Sequence, residues 1–257
     1  MEILIKHTPC GFPDAAVFDF DGTLSSLRAG WEAVMGGMMR ELIPGDPAEV
    51  SALVDRYIDE STGIQTIHQM RWLAEEIARR TGTSDDPWDY KAEYNRRLML
   101  EVQTRRDDVR SGKVPAAYWR VPGGEDFLAA LRERGVTMYA ASGTDDADVK
   151  AEAGILGLDR YFAEIAGAGQ GTDACSKEAV LRRLVQPGRR LLVVGDGKVE
   201  IALGRETGAL TLGIASMDTP GGMPAGMNKI KYERLKKAGA HAIAADFSER
   251  EALLQWI

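Results

Sequence analysis

The chain has 257 residues, 44% of them hydrophobic and 28% charged, with a formal net charge of −7. This is the composition of a water-soluble globular protein with one large domain or a core plus an insert, and its acidity argues against nucleic acid as a partner while leaving a small anionic substrate open. Two cysteines, Cys10 and Cys175, without a CxxC pattern argue against a disulfide framework and for a reducing, cytoplasmic setting, and neither a signal peptide nor an apolar run of membrane length is visible.

In chain order, Glu2 to Lys6 reads as a short edge strand, and Ala15 to Phe20 as a buried strand by its apolar run and length. From Arg28 to about Gly112 the signals are helical: Asp46-Pro47 and Asp86-Pro87 mark helix starts, while Gly63 and Gly82 mark breaks. From Val121 strands and helices alternate. "VPGGEDFLAALRERG" reads as a helix stopped at Gly135, "VTMYAAS" as a strand, Asp145 to Leu156 as a helix, and "SKEAVLRRLV" as a helix capped by Ser176. "RLLVVGD" is a strand, Val199 to Gly208 a helix, "ALTLGIA" a strand, "NKIKYERLKKAG" a helix and "AHAIAA" a strand. Ser248, as N-cap, opens a last helix to Trp256. Repeated β-α-β units require a parallel sheet with helices on both faces, so the fold class is α/β: a Rossmann-like, doubly wound core at 1–25 and 115–257, with an all-α insert at 26–114.

In such sheets ligands bind at the carboxyl ends of the strands. The residues just past the strands are therefore the candidates. They are Asp19 and Asp21 after the first; Ser142, Gly143 and Thr144 after "VTMYAA"; and Asp196, with Glu200 shortly beyond, after "RLLVVG". Lys177 stands at the start of a helix. Asp145 and Asp146 read as caps of the helix that follows them. Several carboxylates cannot share a site as bare anions, because like charges raise one another's pKa. A hard divalent cation such as Mg²⁺ resolves this, since it takes oxygen ligands and commonly binds a few carboxylates plus a substrate phosphate. The Ser142 hydroxyl and Lys177 ammonium then suit a phosphoryl group, with Gly22 and Gly143 letting backbone N–H groups approach its oxygens. The set points to phosphoryl transfer to a carboxylate, or chemistry very similar to it.

Four pieces in this order, Asp19-Phe20-Asp21-Gly22-Thr23-Leu24, Ser142, Lys177 in "CSKEAVL" and "VVGDGKVE" with Asp196 and Glu200, resemble the haloacid dehalogenase superfamily, in particular its phosphatase-like members with a helical cap, of the phosphoglycolate phosphatase type. The resemblance implies that Asp19 is the nucleophile and that Asp21 is general acid and then general base. It makes Ser142 the holder of a phosphoryl oxygen and Lys177 the residue that orients Asp19. Mg²⁺ would bind Asp19, Asp196 and the main-chain carbonyl of Asp21. Glu200 replaces a second acid that is often Asp, and its longer side chain suits binding through a water. Asp21 argues against carbon–halogen chemistry. The insert becomes the cap, where Arg28 and the loop "STGIQTIHQM" would meet the substrate through Gln65, Thr66 and Gln69, beside Gly22, Thr23 and Gly143 from the core. The alternative for that loop is a helix-helix turn capped by Thr62. The function implied is a Mg²⁺-dependent phosphatase of a small phosphorylated metabolite, a sugar phosphate or phospho-organic acid. A phosphomutase, a phosphonate-cleaving enzyme with a cap lysine (Lys91 or Lys113) forming a Schiff base, and a non-catalytic binding module are the alternatives.

Overall fold

The computed structural model describes residues 1–7, 11–169, 171 and 176–257; Cys10, Cys175 and the Ser176 side chain lie outside what is described. The first long-range order comes from Ala15–Phe18 (β2), four apolar residues that are all buried. Alternation along an extended chain sends Ala16 and Phe18 to one side and Ala15 and Val17 to the other. The two sides belong to two different hydrophobic clusters. β2 is thus a central strand with both faces covered, as its unbroken apolar run requires.

Around it lie Glu2–Ile3 (β1), Thr137–Asp145 (β3), Phe162–Ala168 (β4), Leu191–Gly195 (β5), Leu210–Ile214 (β6) and Ala242–Ala244 (β7). The sheet order is β1-β7-β6-β5-β2-β3-β4. β1 pairs antiparallel with β7 at one edge, and every other pairing is parallel. Val17 sits between Tyr139 and Val193, so β2 and β5 stop near one level, while β3 runs on to Asp145 and carries Ser142, Gly143 and Thr144 within it and not past its end. One face is covered by Gly124–Glu133 (α5), Asp146–Ile155 (α6) and Arg250–Trp256 (α10). The other is covered by Ser176–Leu184 (α7) and Lys198–Glu206 (α8). Lys229–Lys237 (α9) packs by Leu235 beside Ile201 and Ile243. This is the α/β, doubly wound architecture expected.

Trp31–Leu42 (α1), Pro47–Ser61 (α2), Thr66–Thr81 (α3) and Pro87–Arg110 (α4) fill the stretch 26–114, which contains no strand. α2 and α4 start where Asp-Pro places them: Asp46 accepts from the N–H groups of Ala48 and Glu49, and Asp86 from that of Trp88. Gly82 ends α3 in the left-handed conformation. Val50, Val54 and Ile58, and Tyr90, Tyr94, Leu98 and Val102, recur every fourth residue and meet in a core of their own with Met35, Met38 and Met39. Two chain crossings, at 24–26 and 119–121, tie this bundle to the sheet side by side: Val121 N–H donates to the Leu24 carbonyl and Ser26 N–H to that of Trp119.

Four local expectations need correction. β2 ends at Phe18, not Phe20, because the chain turns to put Asp19 at the sheet end. β4 was not foreseen: "FAEIAGA" has small residues and is half-buried at the sheet edge, which mutes its alternation. The last helix begins at Arg250; the Ser248 N–H instead donates to Asp246, so Ser248 is not its cap. Asp145 occupies the N-cap position of α6 without a capping bond, its carboxylate being taken by Lys91 and Asn95 of α4.

Candidate active site

The site begins where β2 stops. Asp19 donates its N–H to the carbonyl of Val194, which continues the pairing with β5 one residue past the strand. Its carboxylate is buried, with Oδ2 3.0 Å from Lys177 Nζ. Lys177, in the first turn of α7, is also 2.9 Å from Glu200 Oε2. The other Glu200 oxygen accepts from the Gly197 N–H at 2.5 Å, as a third helical residue does when it reaches back to cap its own helix. Both oxygens of Glu200 are therefore committed, one to α8 and one to Lys177. Burial raises the Asp19 pKa well above the ordinary carboxylate value; Lys177 opposes this, while Glu200 and Asp196 add to it. Burial would lower the Lys177 pKa, but Asp19 and Glu200 outweigh it and keep the ammonium charged.

Asp21 stands opposite. Ser142 and Thr144, two residues apart on β3 and so on the same face, aim their hydroxyls at Asp21 Oδ2, at 3.3 and 2.8 Å. Asp21 Oδ1 is buried with no hydrogen-bond partner among the described residues. Burial, with Glu152 adding to it, pushes the Asp21 pKa up to about 6 against the pull of Arg28 and the two hydroxyls. Arg28 is itself spent on Glu152, which it grips through Nε and Nη2, with Asp21 Oδ1 at 4.0 Å. Arg106 from α4 joins Glu152 and Asp148 in the same cluster, and Glu152 is wholly buried.

Asp196 follows β5. Its Oδ1 is 3.4 Å from Thr23 Oγ1 and its Oδ2 is 2.7 Å from Lys231 Nζ. Gly22 crosses directly beneath: its φ is +75°, and a Cβ there would lie 2.1 Å from Asp196 Oδ2. Both conformation and space therefore demand glycine. Carboxylate oxygens of Asp19, Asp196 and Glu200 come within 4.8 Å of one another. An all-oxygen, buried, anionic set of this kind suits a hard divalent cation, and of the three Asp19 and Asp196 also line the cavity, which Glu200 does not.

The cavity between these groups and the helices is about 100 Å³, room for several waters. Asp19, Asp21, Ser142, Gly143, Lys177 and Asp196 form its floor; Arg28, Trp31, Thr66, Gln69 and Tyr94 line it from the other side. Gly22, Thr23 and Glu200 lie behind the floor and do not line it, nor does Gln65, the N-cap residue of α3. Thr62 closes the preceding helix, its hydroxyl donating to the Ile58 carbonyl, and does not cap α3. Gln69 donates to Ser61 Oγ at 3.1 Å, which fixes its amide at the wall. The loop approaches the floor closely: a Cβ on Gly143 would lie 3.4 Å from the Ile64 carbonyl oxygen. Lys198 reaches the Glu60 carbonyl, away from the cavity.

Glu152, Lys231 and Asp218 have no place in the sequence reading, and Thr144 stands there among the strand-end residues without a role. Thr144 carried a usable signal, its i+2 spacing from Ser142 on a strand. Lys231 carried none, since it sits in a helix with three other lysines, at 229, 236 and 237, that are all exposed.

An aspartate paired with a lysine, a second aspartate held by hydroxyls, and a third acid at the next strand end converge at the carboxyl end of a parallel α/β sheet, where such folds bind their ligands. The chain belongs to the haloacid dehalogenase-like hydrolase family, whose model matches residues 13–208. Curated protein sequences give no match. Among solved structures the chain is similar to one described as a predicted phosphoglycolate phosphatase from Haemophilus somnus 129PT (15% identity, 95% of this chain and 99% of that one, TM-score 0.61). It is also similar to a β-phosphoglucomutase from Clostridium difficile (14%, 95% and 97%, TM-score 0.62) and a phosphonoacetaldehyde hydrolase-like protein from Oleispira antarctica (16%, 98% and 95%, TM-score 0.59). At such identities the likeness is one of fold. None of the described helices is long and apolar enough to cross a membrane.

Proposed function

We propose that the protein is a Mg²⁺-dependent phosphatase that hydrolyses a small phosphorylated metabolite through a phospho-Asp19 intermediate, in the cytoplasm and without a nucleic-acid or membrane partner. The observation that carries this reading is the opposition of two unlike carboxyl groups across one cavity. Asp19 is paired with Lys177, and Asp21 has one buried oxygen without a hydrogen-bond partner among the described residues and a pKa near 6. Burial raises the pKa of both, but Lys177 pulls against the rise at Asp19, and that charged partner supports Asp19 as the nucleophile and Asp21 as the proton carrier. Mg²⁺, held by Asp19, Asp196 and the carbonyl of Asp21, would offset the negative charge of the phosphoryl oxygens.

In the first half-reaction an Asp19 oxygen bonds to phosphorus as the bond from phosphorus to the leaving oxygen breaks. Asp21 gives that oxygen its proton. Ser142 and Lys177 present a donor and a positive charge to the phosphoryl oxygens. In the second half, Asp21, now a carboxylate, takes a proton from water as the water oxygen attacks phosphorus. Inorganic phosphate leaves and Asp19 is restored. The Thr144 hydroxyl holds Asp21 in place for both steps, while Ser142, whose single proton meets Asp21 here, turns it to a phosphoryl oxygen when substrate binds. Thr66, Gln69, Trp31 and Tyr94 surround the leaving group, and the small cavity favours a compact one.

A screen of phosphorylated metabolites with and without Mg²⁺ tests the reading. Turnover that requires Mg²⁺ and vanishes in Asp19→Asn, with the fold intact, is the expected result; retained turnover in that variant overturns it. Phosphonate cleavage through a Schiff base is the second reading, favoured by the Oleispira neighbour and by Lys91, whose amine meets Asp145, a residue that lines the cavity. That amine is 2.5 Å from the Asp145 carboxylate, an ion pair that would have to break before it could reach a carbonyl, and Lys113 is exposed and paired with Asp108. Borohydride in the presence of an aldehyde phosphonate is therefore expected to trap no adduct.

A further inference from the structure

Lys231 is a buried lysine that the proposed chemistry does not use and that does not line the cavity. Burying an ammonium is costly unless it is matched by charge and hydrogen bonds. Here the match is complete. Nζ is 2.7 Å from Asp196 Oδ2, 2.6 Å from Asp218 Oδ2 and 3.3 Å from Ser216 Oγ. Ser216 Oγ is in turn 2.6 Å from the Gly22 carbonyl oxygen and 2.8 Å from Asp218 Oδ1, and its single proton serves one of these at a time. The network thus joins three separate pieces of chain: the loop after β2 that carries Asp21 and Gly22, the end of β5 that carries Asp196, and the loop after β6.

Two further facts show that this junction is built at some cost. Asp218, at φ +52°, is the only described residue other than glycine in the left-handed region, a strained conformation that surrounding structure must impose. Gly22 packs so tightly on the pair that a Cβ would lie 3.0 Å from Lys231 Nζ as well as 2.1 Å from Asp196 Oδ2. Glu32, from the first helix of the insert, adds a further carboxyl whose pKa is raised by its burial and by Asp218 and Asp196.

Resting on the reading of a Mg²⁺-dependent site, we propose that Lys231 is a positioning residue of that metal centre. It takes one oxygen of Asp196 and, through Ser216 and Asp218, locks it to the backbone of the Asp21 loop, so that the remaining oxygen is presented to the cation in a fixed direction. An outer partner of a ligating carboxylate orients the ligand and so sets affinity. The alternative is that Lys231 only balances charge in the interior. The two differ because a nearby positive charge by itself weakens cation binding, whereas positioning strengthens it.

The double variant Lys231→Met/Asp218→Asn separates them, since it removes one positive and one negative charge and leaves the net charge unchanged. Mg²⁺ binding is measured by isothermal titration calorimetry on the metal-stripped full chain, for the wild type, Asp196→Asn and the double variant. Wild type is expected to bind, Asp196→Asn to lose binding, and the double variant to bind roughly 10- to 100-fold more weakly. The Mg²⁺ concentration for half-maximal turnover should rise by the same factor, with kcat at saturating Mg²⁺ falling far less. Equal affinity in wild type and double variant overturns the role of Lys231 alone. Absence of Mg²⁺ binding in the wild type overturns the metal-dependent reading and this role with it. Should the double variant melt below the assay temperature, Ser216→Ala, which removes only the hydroxyl of the link, is titrated instead. Weakened binding is again expected, and unchanged binding overturns the proposal.

Discussion

Two buried lysines flank the strand ends, each between two carboxylates, and they differ in what else they can touch. Lys177 bridges Asp19 and Glu200 and lines the cavity. Lys231 bridges Asp196 and Asp218 and is walled off from the cavity behind Gly22. The same ion chemistry serves different ends. Where the ammonium reaches the space a substrate would fill, it is placed to act, on the proposed chemistry, on charge that develops there. Where it cannot, it is left with orienting a ligand. Asp21 completes the comparison: among the described residues it meets no lysine, only two hydroxyls, with Arg28 4.0 Å away and already committed to Glu152.

The sharpest way to break this comparison is Lys177→Met. It leaves Asp19 and Glu200 buried without their cation, a loss of about 3–5 kcal/mol of stability. Removing a charge aimed at the transition state should also lower kcat by about 10²–10³-fold. Urea unfolding and steady-state kinetics measure both. Recovery of its turnover at saturating Mg²⁺, the behaviour expected when Lys231 and Asp218 are replaced together, would erase the distinction between the two lysines.

Asp21→Asn probes the carboxyl that lacks a lysine. In the folded chain Asp21 keeps its proton up to about pH 6, against an ordinary value of 3.8. The folded state therefore binds more protons than the unfolded one between these values, and stability falls as pH rises through them. The full penalty at pH 7.5 is about 3 kcal/mol. The neutral variant is expected to be more stable than wild type by up to that amount at pH 7.5, with the gain gone near pH 4, while losing turnover. Melting temperatures across that range decide it; a variant no more stable at pH 7.5 would remove the case for a raised Asp21 pKa.

The smallest effect belongs to Arg234→Ala, on the same helix as Lys231. Its partner Asp59, 2.6 Å away on α2, is more than half exposed, and pairs of that kind contribute about 0.2–1 kcal/mol. Unfolding should shift by that little, with Mg²⁺ affinity unchanged. A large loss of Mg²⁺ affinity would mean that any disturbance of α9 reaches Asp196, and that the Lys231 contact is not special.

Much of the floor of the site was legible because each of its residues stands beside a feature that a linear pattern can carry. Asp19 ends an apolar run, as does Asp196, and Ser142 closes "YAA"; once the units are read as parallel strands, their ends must converge. The wall was less legible. Thr66 and Gln69 line the cavity and Gln65 does not, a difference set by where α3 begins, with Gln65 left extended at its N-cap, and not by residue type. Arg28 stands beside the site, yet only the fold reveals that Glu152, 124 positions away, accepts its hydrogen bonds.

By itself the sequence determined the alternation of strands and helices, the helical stretch between the first and second motif, and the order of the acids, hydroxyl and lysine at the strand ends. Local propensity and hydrophobic period act over a few residues, and these features live on that scale. Tertiary structure alone decided that β4 joins the sheet, that Glu200 spends both oxygens on its own helix and on Lys177, and that Lys231 leaves the basic face of its helix to lie between Asp196 and Asp218. A lysine among lysines reads as solvated. Whether one of them is buried depends on which carboxylates distant chain segments bring within reach of it, and that is settled only when the sheet has assembled.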